Sequence, residues 1–175
     1  MKKTTAFFLL ISLVSSIIQA AELKLGSPAP QFSTQTQDAK TFKLSDQKGQ
    51  WTVLYFYPKA ETPGCTKQAC AFRDSINVIR AEGADIYGVS SDTVEQQAAF
   101  HKNHNLNFTL LADPDSKIIE MYGSKIPTMK MSKRWTFIID PDLKIQNIEK
   151  DVDPAKDAER VAKQIQTLKA NKKKI

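Results

Sequence analysis

Polar and apolar positions alternate along this chain in two distinct rhythms. Residues 51–57 (WTVLYFY), 84–90 (ADIYGVS), 108–112 and 135–139 are short apolar runs rich in β-branched and aromatic residues, the pattern of buried strands. From Cys65 onward, Ala69, Phe72, Ile76 and Ile79 recur at spacings of three and four, the pattern of an amphipathic helix ending near Gly83. Asp92 is the expected N-cap of a second helix through His104, and Ser116 that of a short helix through Met121. Asp153, followed by Pro154, opens a last helix whose stripe is Ala158, Val161, Ala162, Ile165 and Leu168.

Turn chemistry joins these elements. Pro58 stops the first long strand, Asp113-Pro114-Asp115 forms a turn, and Asp140-Pro141-Asp142 connects residues 135–139 to an antiparallel partner at 143–148. Pro28-Ala29-Pro30 is extended, residues 31–34 and 41–43 form an N-terminal β-hairpin, and 123–132 is a loop. The order predicts an α/β class: a thioredoxin-like fold with a central mixed sheet flanked by helices.

The first 20 residues follow a separate logic. Lys2 and Lys3 precede the apolar run 6–14, and residues 15–21 are small and polar, as in a secretory signal cleaved after Ala20. The run falls short of the roughly 20 apolar residues that span a bilayer, so no membrane association is expected after cleavage. The expected division is a signal at 1–20, one domain at 21–169 and a basic tail at 170–175. That placement predicts a periplasmic or secreted protein.

Composition adds little to this picture, but charge excludes one class. The formal charge is +6, yet outside Lys2, Lys3 and the terminal Lys169, Lys172, Lys173 and Lys174 acidic and basic residues balance. A neutral body with a basic tail is not a nucleic-acid surface. His101 and His104 lack a third ligand, and Met121, Met129 and Met131 share no face, so neither set makes a metal site.

The chemistry lies in two cysteines, Cys65 and Cys70. Cys65 falls in the first turn of a helix, just after Thr62-Pro63-Gly64, where unpaired N–H groups and the helix dipole favour a thiolate, the reactive form. In an intact helix, residues five apart have Cα atoms about 8.6 Å apart, beyond the roughly 7 Å limit for a disulfide. Either the helix unwinds to join the two sulfurs transiently, or it is absent there and the disulfide is permanent.

Residues 56–74, FYPKAETPGCTKQACAFRD, resemble the peroxiredoxins of the bacterioferritin comigratory protein or PrxQ group, with Pro58, Thr62 and Cys65 at the positions of its Pro-x-x-x-Thr-x-x-Cys signature. RWTFIID at 134–140 and GSPAPQF at 26–32 are similar to other segments of that group. The resemblance implies a thiol peroxidase reducing hydrogen peroxide and organic hydroperoxides. Cys65 would attack the peroxide and Cys70 would resolve the sulfenic acid as an intramolecular disulfide, reduced in turn by an external dithiol such as a thioredoxin-like protein. Thr62 would hydrogen-bond the peroxide, Arg134 would hold the thiolate and polarise the O–O bond, and Pro58 would wall the pocket. It further implies no cofactor and a monomeric state.

The chain departs from the group at Gln68, where an acidic residue is usual. That puts the carboxylate's hydrogen bonds to the arginine in question. Trp135 is bulky beside Arg134, and residues 123–133 do not follow the group's pattern. Two other readings stay open. A thioredoxin-like thiol-disulfide oxidoreductase would normally carry Cys-x-x-Cys, and a non-enzymatic secreted module would carry a structural disulfide and show no response to peroxide.

Overall fold

The computed structural model describes residues 22–172; the expected signal at 1–20 and the tip of the basic tail lie outside them. Strands β1 (Ser33–Thr36), β2 (Thr41–Lys43), β3 (Trp51–Phe56), β4 (Ala84–Ser90), β5 (Thr109–Ala112), β6 (Trp135–Ile139) and β7 (Ile145–Glu149) form one sheet in the order β2-β1-β5-β4-β3-β6-β7. β3 pairs in parallel with β4, and β4 with β5, while β6 and β7 add antiparallel to the other side of β3. Helices α1 (Pro63–Ala81), α2 (Val94–Asn103), α3 (Lys117–Met121) and α4 (Asp157–Lys172) cover the faces. The mixed thioredoxin-like sheet is therefore present as expected.

β3 is central, and all six of its residues are buried. Its alternation divides the core. Val53 and Tyr55 face α1 and α4, packing with Cys65, Ala69, Phe72, Ile76, Val161 and Ile165. Leu54 and Phe56 point the other way, toward Ile118 and Ile119 of α3, Tyr122 and Phe137. Two-sided burial explains why the strand reads as a continuous apolar run.

Local rules fail at caps and turns. The first hairpin strand is Ser33–Thr36 rather than 31–34: it starts where Ser33 pairs with Lys43 at the end of β2, and it runs on to Thr36 because the 37–40 turn is closed by Thr36 N–H on the Lys40 carbonyl at 2.8 Å, with Thr36 Oγ1 accepting from Asp38 and Lys40 N–H groups. α2 is capped by Thr93, whose hydroxyl accepts from Gln96 N–H while the Gln96 side chain accepts from Thr93 N–H. Asp92 is drawn elsewhere, accepting from the Ala60 N–H at 2.8 Å. Ser116 sits in the left-handed region without capping, and Asp113 caps α3 by accepting from Lys117 and Ile119 N–H groups, each at 2.9 Å. At α4 the Asp153-Pro154 segment is a separate turn, its carboxylate accepting from Ala155 N–H, and the helix starts at Asp157. The partner of β6 begins at Ile145 rather than 143, since Leu143 adopts φ 59° in the turn.

α4 also continues past the expected domain end. Lys172 lies within the helix, over the Trp51 ring, and its ammonium is 2.7 Å from Asp140. Asp140 is 1% exposed and also accepts from Asp142 N–H, Lys144 N–H and Gln146 Nε2. Burial opposes its ionisation, but Lys172 and the two backbone N–H groups outweigh it, so the carboxyl titrates below its usual range. A depressed folded-state pKa gives stability that is fully present above the unfolded value near about 4 and is lost as pH falls through the folded value. Asp140→Asn should therefore cost about 1–3 kcal/mol at pH 7. In urea titrations the gap to the parent protein should close below about pH 4; a gap independent of pH would show that the charge is not what matters.

Candidate active site

The first turn of α1 creates the site. Thr62 is its N-cap with extended backbone (φ −80°, ψ 148°), and Pro63 occupies the first helical position, where its missing N–H is no loss. The Thr62 hydroxyl makes no cap bond; it donates to the Lys59 carbonyl at 2.9 Å, which leaves its oxygen able to accept. The N–H groups of the first turn thus remain directed at the helix end. Cys65 is the third helical residue, 1% exposed, and contacts the core that includes Tyr55, Tyr57 and Ala60.

Arg134, at the entry to β6, reaches across to this turn. Its Nη2 lies 3.5 Å from Cys65 Sγ and its Nη1 donates to Gln68 Oε1 at 2.7 Å. Such a contact is charge-assisted when the sulfur is a thiolate. Gly64 makes the approach possible, since a Cβ there would lie 3.1 Å from Nη2. The walls are uncharged: burial, with Tyr57 and Cys65 close by, pushes the Tyr55 hydroxyl well above its usual range, and burial likewise raises Tyr57.

The preceding loop is fastened to α2. Glu61, at φ 63°, is 2.8 Å from the His104 ring and accepts from Asn103 Nδ2. Those bonds hold the Glu61 carboxyl below its usual range. His104 is thus a core-edge residue packed against Phe100.

Of the residues expected from the sequence, Cys65 and Arg134 are in contact. Thr62 stands at the N-cap position of the helix that carries the sulfur, and Pro58 is half-buried where the loop leaves β3. α1 is unbroken across both cysteines, and both are free thiols. Gln68 answers the question its identity raised: its amide oxygen still accepts from the arginine. Its other end donates to Asp157 Oδ2 at 2.7 Å. Sequence reasoning missed Asp157, along with Thr136 and Arg160, which also bind it. Two signals for them existed: Thr136 shares a strand face with Arg134, and Asp157 and Arg160 form an i,i+3 pair at a helix start. Among the described residues, no three His, Cys, Asp or Glu side chains gather to hold a metal.

A buried cysteine at a helix N-terminus, covered by an arginine on a thioredoxin-like sheet, defines a thiol-based peroxidase. Residues 25–148 match the AhpC/TSA family, and the chain belongs to it. Peroxiredoxin Bcp of Escherichia coli K12 is 42% identical over 132 residues, covering 72% of this chain and 85% of that protein. Among solved structures, peroxidoxin BcpB of Mycobacterium tuberculosis superimposes with a TM-score of 0.78 at 30% identity, covering 83% of this chain and 97% of that one. Bacterioferritin comigratory protein of Xanthomonas campestris gives a TM-score of 0.75 at 25% identity, with 85% and 98% covered. The protein is a thiol-dependent peroxidase of the Bcp and PrxQ kind.

Proposed function

We propose that Cys65 is the peroxidatic cysteine and Cys70 its resolving partner. The observation that carries the assignment is the Arg134 guanidinium 3.5 Å from Cys65 Sγ at a helix N-terminus. The Cys65 thiolate attacks the terminal oxygen of a hydroperoxide, the O–O bond breaks, and the departing hydroxide or alkoxide takes up the proton released when the thiol ionised, leaving as water or an alcohol. The sulfur is oxidised to sulfenic acid. Arg134 stabilises the charge that develops on the oxygens, and the Thr62 oxygen accepts from the peroxide O–H. Pro58 closes the loop side. The Cys70 sulfur then displaces hydroxide from the Cys65 sulfur, forming S–S and releasing water. An external dithiol restores both thiols and is itself oxidised to a disulfide.

The substrates are hydrogen peroxide and organic hydroperoxides; alkyl peroxide reduction is the activity described for the Xanthomonas campestris protein. The protein acts as a monomer in the periplasm or as a secreted enzyme, after loss of residues 1–20. Its reductant is therefore an exported thioredoxin-like dithiol. A thioredoxin-like oxidoreductase is the weaker reading, because no second cysteine shares the helix N-terminus with Cys65.

The test treats reduced mature protein with one equivalent of hydrogen peroxide and follows thiols and mass. A Cys65–Cys70 disulfide, with a sulfenic acid trapped in Cys70→Ser, is expected. Peroxide consumption by Cys65→Ser at the parental rate would overturn the assignment.

A further inference from the structure

The bond partners of Gln68 form a chain that ends at a buried carboxylate. Gln68 is 0% exposed and Asp157 1%. Arg134 offers only donors, so the amide oxygen must face it, and the Asp157 oxygens accept from Thr136 and Arg160 as well, so the amide nitrogen must face that side. The reverse orientation would set donor against donor and oxygen against carboxylate. Asp157 is itself held by the Thr136 hydroxyl at 2.7 Å, and by Arg160 at 2.7 and 3.1 Å. The carboxylate thus ties together α1, β6 and α4, the elements that bring Cys65 and Arg134 into contact.

Gln68 also lies between the two cysteines. An intact helix keeps residues five apart at about 8.6 Å between Cα atoms, so residues 63–70 must unwind before Cys70 can reach Cys65. Unwinding moves Gln68 and breaks its bonds to both Arg134 and Asp157.

We propose that Asp157 is a positioning residue which, acting through Gln68, holds Arg134 against Cys65 and latches the first turns of α1, so that its release gates disulfide formation. The proposal rests on the assignment of Cys65 and Cys70 above. A hydrogen bond to a charged group shifts a folded-to-unwound ratio roughly tenfold to a hundredfold. The latch therefore lengthens the life of the sulfenic acid in the folded site and exposes it to a second peroxide, which converts it to sulfinic acid with release of water.

The experiment uses quenched-flow mass spectrometry on the full mature chain. It measures the rate of sulfenic acid formation, the rate of disulfide formation and the fraction of sulfinic acid per turnover, for the parent, Gln68→Met and Asp157→Asn. Gln68→Met keeps side-chain length and removes both bonds; Asp157→Asn keeps shape and removes the charge. In Gln68→Met, sulfenic acid formation should slow about tenfold, disulfide formation should accelerate about tenfold, and the sulfinic fraction should fall. Asp157→Asn should move all three in the same direction by less. A purely structural role would lower the melting temperature and leave the disulfide-to-sulfinic ratio unchanged. That ratio staying within twofold of the parent in both variants overturns the latch. A parent protein that forms no Cys65–Cys70 disulfide overturns the assignment of Cys70, and the latch with it.

Discussion

Arg134→Met is expected to reduce the second-order rate constant for hydrogen peroxide about 100- to 1000-fold, the loss typical of removing a preorganised donor from a developing oxyanion. The guanidinium contacts the sulfur through Nη2 while Nη1 is fixed by Gln68. It therefore needs no reorganisation when charge develops on the peroxide. Methionine fills similar space but supplies neither charge nor donor. Arg134→Lys should recover only part of the loss, because a single ammonium cannot reach both Cys65 Sγ and Gln68 Oε1 in the same geometry. Competition kinetics at pH 7 would read both variants, with circular dichroism to confirm folding. Arg134→Met remaining within tenfold of the parent would mean that the helix terminus alone activates the sulfur.

The second large effect is on stability. Gly88 sits in register with Tyr55 of β3 and Leu110 of β5. A Cβ there would stand 2.6 Å from Tyr55 Oη, 2.7 Å from Tyr55 Cζ and 2.8 Å from Leu110 Cδ2. Two neighbours would have to move at once, and Tyr55 is wedged against Tyr57 and Phe72, with ring centroids 5.4 and 4.8 Å away. Gly88→Ala should cost about 3 kcal/mol, the upper part of the usual range for overpacking, and lower Tm by about 6–12 °C in a chain of this size. Tyr55→Phe alone should be neutral or mildly stabilising, because among the described residues its buried hydroxyl has no hydrogen-bond partner. Combined with Gly88→Ala it should restore part of the lost Tm. Calorimetry showing Gly88→Ala within 2 °C of the parent would mean that the three strands separate more easily than their packing implies.

What local sequence made legible were the elements that satisfy themselves. β4 and β6 fall where their apolar runs place them, and α1 follows its three-and-four rhythm between Pro63 and Ala81. The sulfur was legible because a nucleophile at a helix start is visible within one segment; its arginine was reached only through the resemblance of residues 134–140 to the peroxiredoxins. Features decided by partners far along the chain were not. Asp92 and Asp113 are both aspartates beside a helix, yet one binds the loop before α1 and the other caps α3, a choice made by tertiary neighbours. Gln68 read as a lost carboxylate for the same reason. Its meaning depends on Asp157, 89 residues away in sequence.

The fastening of the loop before α1 has a consequence for the timing of successive turnovers. Ala60 is bonded to Asp92, and Glu61 to Asn103 and His104. If Cys70 resolves Cys65 as proposed, the start of α1 must open while these bonds keep the other side of the site in place, so that only one or two helical turns rewind. Helix winding takes on the order of a microsecond or less, far faster than exchange with a dithiol partner. On that mechanism the dead time of the enzyme would be set by how often reductant arrives.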